Sequence, residues 1–230
     1  MATTRIRARR SLQRWYDAVI GSSLSAEERA TLVRRGILLS YFTIAYNSLE
    51  AVVSLVAGLL SGSVALVGFG LDSVIEVTSS GAVQWRLRGD VDPHARERME
   101  RRTLRIVGSC FLALAVYVAG DSLHALLQHE HAARTVSGIV ILALSVIVMP
   151  LLARRKRAVG MALGSRSLSA DATQTSLCAW LSAIALSGVV LNAALGWWWA
   201  DPAAALLMTP IIANEGVQAF RGEVTCTDCC

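Results

Sequence analysis

The sequence predicts an all-α polytopic membrane protein with six transmembrane helices and both termini in the cytoplasm. Three observations carry this reading. Of 230 residues, 54% are hydrophobic and 17% charged, with a mean hydropathy of +0.50. Soluble domains carry about 25% charged residues, so the balance excludes a disordered chain and argues against a soluble enzyme. Six stretches reach the roughly 20 mostly apolar residues that a membrane helix needs. Finally, 21 of the 22 basic residues fall on one side of these stretches, as the positive-inside rule requires of cytoplasmic segments. The net charge of +5 therefore marks a membrane surface and not nucleic-acid binding. The five Cys do not form a secreted disulfide framework.

Residues 1–36 read as a basic cytoplasmic arm without the apolar core of a signal peptide. Its eight Arg suit anionic headgroups. Within it, Ser25-Ala26-Glu27-Glu28 has the form of a capping box opening a short cytoplasmic helix. Span one covers Ile37 to Leu60 and span two Ser63 to Trp85. The connection Ser61-Gly62 is so short that the two must run antiparallel. A loop with seven Arg precedes span three, Leu104 to Leu127. Span four covers Val136 to Ala153, followed by a loop with Arg154, Arg155, Lys156, Arg157 and Arg166. Only Arg134 falls outside the cell. Span five runs from Ser169 to Leu191. Trp197, Trp198 and Trp199 follow at the outer interface, where aromatic belts form. Span six covers Asp201 to Phe220, with Pro210 expected to kink it or interrupt its ladder. The spans make one transmembrane domain, residues 37–220, followed by a short Cys-rich tail, residues 221–230.

Ionisable groups within spans are costly and point to function. Asp72 and Glu76 stand four apart and share one helix face. Two carboxylates so close in a low dielectric repel, so a proton or a cation is expected between them. With Arg105 counted in the loop that precedes span three, no Arg or Lys lies inside any predicted span, which leaves a salt-bridged structural role without a partner. With about 1.5 Å rise per residue, Asp72, Glu76 and Cys178 lie near mid-depth, as do Asn47 and Glu50. Transporter sites commonly sit there. Asp121 and His124 lie toward the outer end of span three, with His129-Glu130-His131 just beyond. This group reads either as an outer metal contact or as a solvated loop.

The segment Ser63-Val64-Ala65-Leu66-Val67-Gly68-Phe69-Gly70-Leu71-Asp72-Ser73-Val74-Ile75-Glu76 resembles span two of the cation diffusion facilitator family, the cation efflux transporters. Ser169-Ala170-Asp171-Ala172-Thr173-Gln174 in span five and Asn214-Glu215-Gly216 in span six are similar to family motifs as well. The resemblance covers about residues 35–222. It implies the six-span fold, no enzyme activity and no organic cofactor. It also implies a divalent metal cargo exchanged for protons, with access alternating by rocking of helix pairs.

Carried over, Asp72 and Glu76 occupy the two ligand positions of span two. Gln174 stands where the family usually has His, and Cys178 where it has Asp. Gln174 is a weak neutral ligand. Cys178 reads either as a thiolate ligand suited to zinc or as a small buried apolar residue. Glu50 can replace the carboxylate lost from span five. Asn47 can add a carbonyl, orient Glu50, or bond another helix. Zinc is the first cargo, with iron, cobalt, manganese and cadmium open.

This reading is a short form without the family's cytoplasmic metal-sensing domain, embedded in the bilayer of a cell membrane. Arg outnumbers Lys 21 to 1, a bias that favours a bacterial inner membrane. A homodimer is the family's habit. Cys226, Cys229 and Cys230 suit either metal hand-off or a tail without function. The rival class is a membrane metal-binding or scaffold protein that does not transport, and a passive channel is a third.

Overall fold

The computed structural model describes residues 25–88 and 93–221. The arm before Ser25 and the Cys-rich tail lie outside the described residues. Six helices follow one another: α1 Ala26–Ser61, α2 Val64–Arg88, α3 Pro93–Gln128, α4 Val136–Leu163, α5 Arg166–Leu195 and α6 Ala200–Arg221. The first five are long and apolar enough to cross a membrane. α6 carries Asp201, Asn214 and Glu215 among its apolar residues. One side of it, including Ala204, Ala205, Met208, Ile212 and Gly216, is buried against neighbouring helices.

The capping box forms as its spacing predicts. Ser25 N donates to Glu28 Oε2 at 2.9 Å, and Glu28 N donates to Ser25 Oγ at 3.2 Å. The helix it opens is not a separate short element, however. It runs unbroken into the first span as the 36 residues of α1. No Gly or Pro separates the two parts except Gly36, and an established helix adds a bond for each further residue it fixes. α1 ends at Gly62, whose φ of 70° is a left-handed cap that other residues adopt at a cost. That cap makes the α1–α2 hairpin. α4 and α6 run through Pro150 and Pro210 without ending.

Helices α1, α2, α5 and α4 close a four-helix ring, in which α1 packs on α2 and α4, and α5 on α4 and α2. The α3–α6 pair lies against α2 and α5. This pair meets at glycines. A Cβ on Gly108 would fall 2.7 Å from the Gly216 carbonyl oxygen and 2.9 Å from Phe220 Cα. Backbone cannot retreat there without the helices parting. Gly108→Ala should therefore cost about 1–3 kcal/mol through overpacking, seen as a lower thermal midpoint in detergent. An unchanged midpoint would contradict this packing.

Across the bundle, Asp201 at the start of α6 caps α2. Its carboxylate accepts from Ser63 Oγ at 2.5 Å and from Val64 N at 2.9 Å. Helix starts leave backbone N–H groups without partners, and here another helix supplies the acceptor. At the same end, Trp197 stacks on Trp199 with ring centroids 5.3 Å apart.

Candidate cation site

The six candidate ligands on α1, α2 and α5 are all buried: Asn47, Glu50, Asp72, Glu76, Gln174 and Cys178. Four of them share one neighbourhood. The Cys178 thiol interacts with the carboxylates of Asp72 and Glu76. Glu50 lies within electrostatic reach of both carboxylates. Its Oε2 accepts from Ser73 Oγ at 2.8 Å. Ser73 stands between the two α2 carboxylates in sequence and ties α1 to α2 at this level.

Several atoms here have no hydrogen-bond partner: both amide atoms of Asn47, Glu50 Oε1, Glu76 Oε2 and Gln174 Nε2. A buried polar atom without a partner costs about 1–3 kcal/mol, so their concentration at one depth marks a place where something else supplies the bonds. The interhelical hydrogen bond open to Asn47 is not made. Among the described residues, no three His, Cys, Asp or Glu side chains are arranged to hold one metal ion. The carboxylates and the thiol are neighbours that have not closed on a common point.

Lys156 is the residue that sequence reasoning misplaced. The sequence places it in the loop after span four and leaves the spans free of basic residues. In the structure α4 continues to Leu163, and Lys156 is wholly buried. Its Nζ lies 2.7 Å from Asp171 Oδ2 and 4.0 Å from Glu76 Oε1. It also donates to Thr175 Oγ1 at 2.9 Å. Thr175 in turn donates to Glu76 Oε1 at 2.6 Å, and Ser80 donates to Asp171 Oδ1 at 2.9 Å. A salt-bridged partner for the α2 carboxylates therefore exists.

A signal for this was present in the sequence. Met149, Leu152, Ala153, Lys156, Val159 and Gly160 follow the helical stripe of one buried face. Arg154 and Arg155, off that stripe, are exposed. Lys156 is also the single Lys among 21 Arg.

Among the described residues, the outer histidines join no group of three metal-ligating side chains. His129 and His131 set their rings against Trp198, at centroid distances of 4.8 and 5.8 Å. His124 Nε2 lies 3.7 Å from Glu130, with both side chains exposed. Asp121 accepts from the Tyr117 hydroxyl at 3.2 Å.

A buried carboxylate–thiol cluster at mid-depth of a membrane bundle fits cation handling, and comparison with known families decides the class. Residues 40–225 match the cation efflux transmembrane domain. The chain belongs to the cation efflux family. Members are membrane transporters and not enzymes, and their cargo is a metal cation. Among its relatives, transmembrane protein 163 of Xenopus laevis is 26% identical over 204 residues, 87% of this chain and 72% of that protein. Magnetosome protein MamB of Paramagnetospirillum magneticum is 31% identical over 176 residues. MamB of Magnetospirillum gryphiswaldense is 29% identical over the same length. The alignment spans 74% of this chain and 59% of the length of each MamB. In this cation efflux domain, α2 and α5 supply the acidic and thiol groups, and α1 adds Glu50.

Proposed function

We propose that this protein exports a divalent cation from the cytoplasm in exchange for protons, with zinc as its first cargo. The supporting observation is the buried cluster of Glu50, Asp72, Glu76 and Cys178 with its unpartnered oxygens. Asp72, Glu76 and Cys178 are the primary ligands, and Glu50 supplies the carboxylate that span five lacks. Gln174 and the Asn47 carbonyl complete the shell. Carboxylates with one thiolate suit a four-coordinate zinc ion. Metal and protons compete for the same groups, because a ligand must lose its proton to bind. That competition couples the two flows. Since no three ligands converge in the described conformation, loading draws α2 and α5 together around the ion. Rocking of the helix pairs then exposes it to the other side. The Arg-rich end faces the cytoplasm of a bacterial cell, and the protein works in its inner membrane as a homodimer.

The test is radiozinc uptake into proteoliposomes with an imposed pH gradient. Uptake that collapses when the gradient is dissipated is the expected result. Gradient-independent flux would show a channel, and binding without flux would show a scaffold; either overturns the proposal.

A further inference from the structure

The Lys156 network is not accounted for by a cation site alone. It joins three helices through side chains that are all buried: Glu76 and Ser80 on α2, Lys156 on α4, Asp171 and Thr175 on α5. Its place along the helices is informative. Asp171 precedes Cys178 by seven residues, about 10 Å of helix rise, toward the Arg-rich end where α5 begins. Ser80 lies one turn beyond Glu76 toward the same end. The network thus stands between the cluster around Asp72 and the end of the bundle where α4 closes at Gly164 and α5 begins.

We propose that Lys156 latches the cytoplasmic mouth of the cation site. Its ammonium holds Asp171 directly and Glu76 through Thr175, and α2 cannot leave the α4–α5 pair until that linkage parts. The ammonium is a tethered stand-in for cargo. It supplies the positive charge that the buried Glu76 lacks when no cation is bound. Lys suits this role better than Arg because its charge is a compact point on a flexible stem, able to withdraw without breaking a bidentate fork. The inference rests on the transport reading for the identity of the site, and its test is independent of transport.

Cys178 is the reporter, being buried beside Glu76. A chain with Cys110, Cys226, Cys229 and Cys230 replaced by Ser is placed in inside-out membrane vesicles. It is treated with a charged, membrane-impermeant methanethiosulfonate, and labelling of Cys178 is followed by mass spectrometry. The double variant Lys156→Met with Asp171→Asn removes the latch without leaving Asp171 charged and unpaired. Its labelling rate is expected to rise at least tenfold over the parent. A parent-level rate would overturn the proposal. If that variant is not recovered as a monodisperse protein, Thr175→Val decides by the same criterion. It keeps the ion pair and cuts only the bridge to Glu76. Failure of the transport reading would appear separately, as absent proton-driven uptake by the parent chain.

Discussion

Replacing Asp72 with Asn is expected to lower proton-driven zinc uptake at least about tenfold at sub-saturating zinc, while the protein still elutes as one species. Asn keeps the shape of the side chain and removes the charge. A tenfold loss in binding corresponds to about 1.4 kcal/mol, a modest demand on a charged ligand in a low dielectric. The stable fold follows because Asn can still meet the Cys178 thiol across the α2–α5 contact. Its neighbour in the site is the Cys178 thiol, whereas Glu50 and Ser73 tie α1 to α2 independently. Initial rates in proteoliposomes, measured against zinc concentration, check it. An unchanged rate would remove Asp72 from the site and with it the centre of the proposed function.

The second large effect concerns stability. Lys156→Met alone should destabilise the bundle by about 3–5 kcal/mol, the usual cost of removing one partner from a buried ion pair. The methylene stem is kept, so the loss comes from charge. Asp171 would remain wholly buried with only Ser80 to satisfy it, and Thr175 would lose the donor on its outer side. The double replacement with Asp171→Asn should recover much of the loss, because a neutral amide at 171 no longer leaves the closest partner of Lys156 charged and unpaired. Denaturation midpoints of the two variants and the parent, in the same detergent, give the comparison. Equal midpoints for the single and double variants would show that the pair contributes through packing alone.

Much of the molecule was legible in its residues. The hairpin at Ser61-Gly62, the capping box at Ser25, the six apolar stretches and the acidic pair on α2 all rest on short-range signals. A left-handed cap, a side chain returning to its own helix and a run of apolar residues are each contained within a few turns of chain. Helix ends were less legible. α4 continues past its apolar stretch through Arg154 and Lys156 to Leu163, because helical hydrogen bonding does not stop where lipid does. The site was legible in part. Asp72, Glu76, Cys178 and Glu50 were found as costly groups at one depth, and the structure brings them together. Lys156 is hidden in the sequence because the Arg154 and Arg155 just before it are exposed, and a window average hides one inward residue among outward ones.

The sequence by itself determined the span count, the Ser61-Gly62 hairpin and the shared level of the acidic and thiol groups. These follow from backbone hydrogen bonding and from transfer into an apolar phase, and both act locally. Only the tertiary structure decided which polar groups meet: Asp201 with the start of α2, Gly108 with the backbone of α6, and Lys156 with Asp171 and Glu76. The physical reason is that lipid is as apolar as the interior of a helix bundle. Hydropathy therefore does not mark which face of a span turns inward. The rotation of each helix is set by contacts with partners that lie far away in the chain.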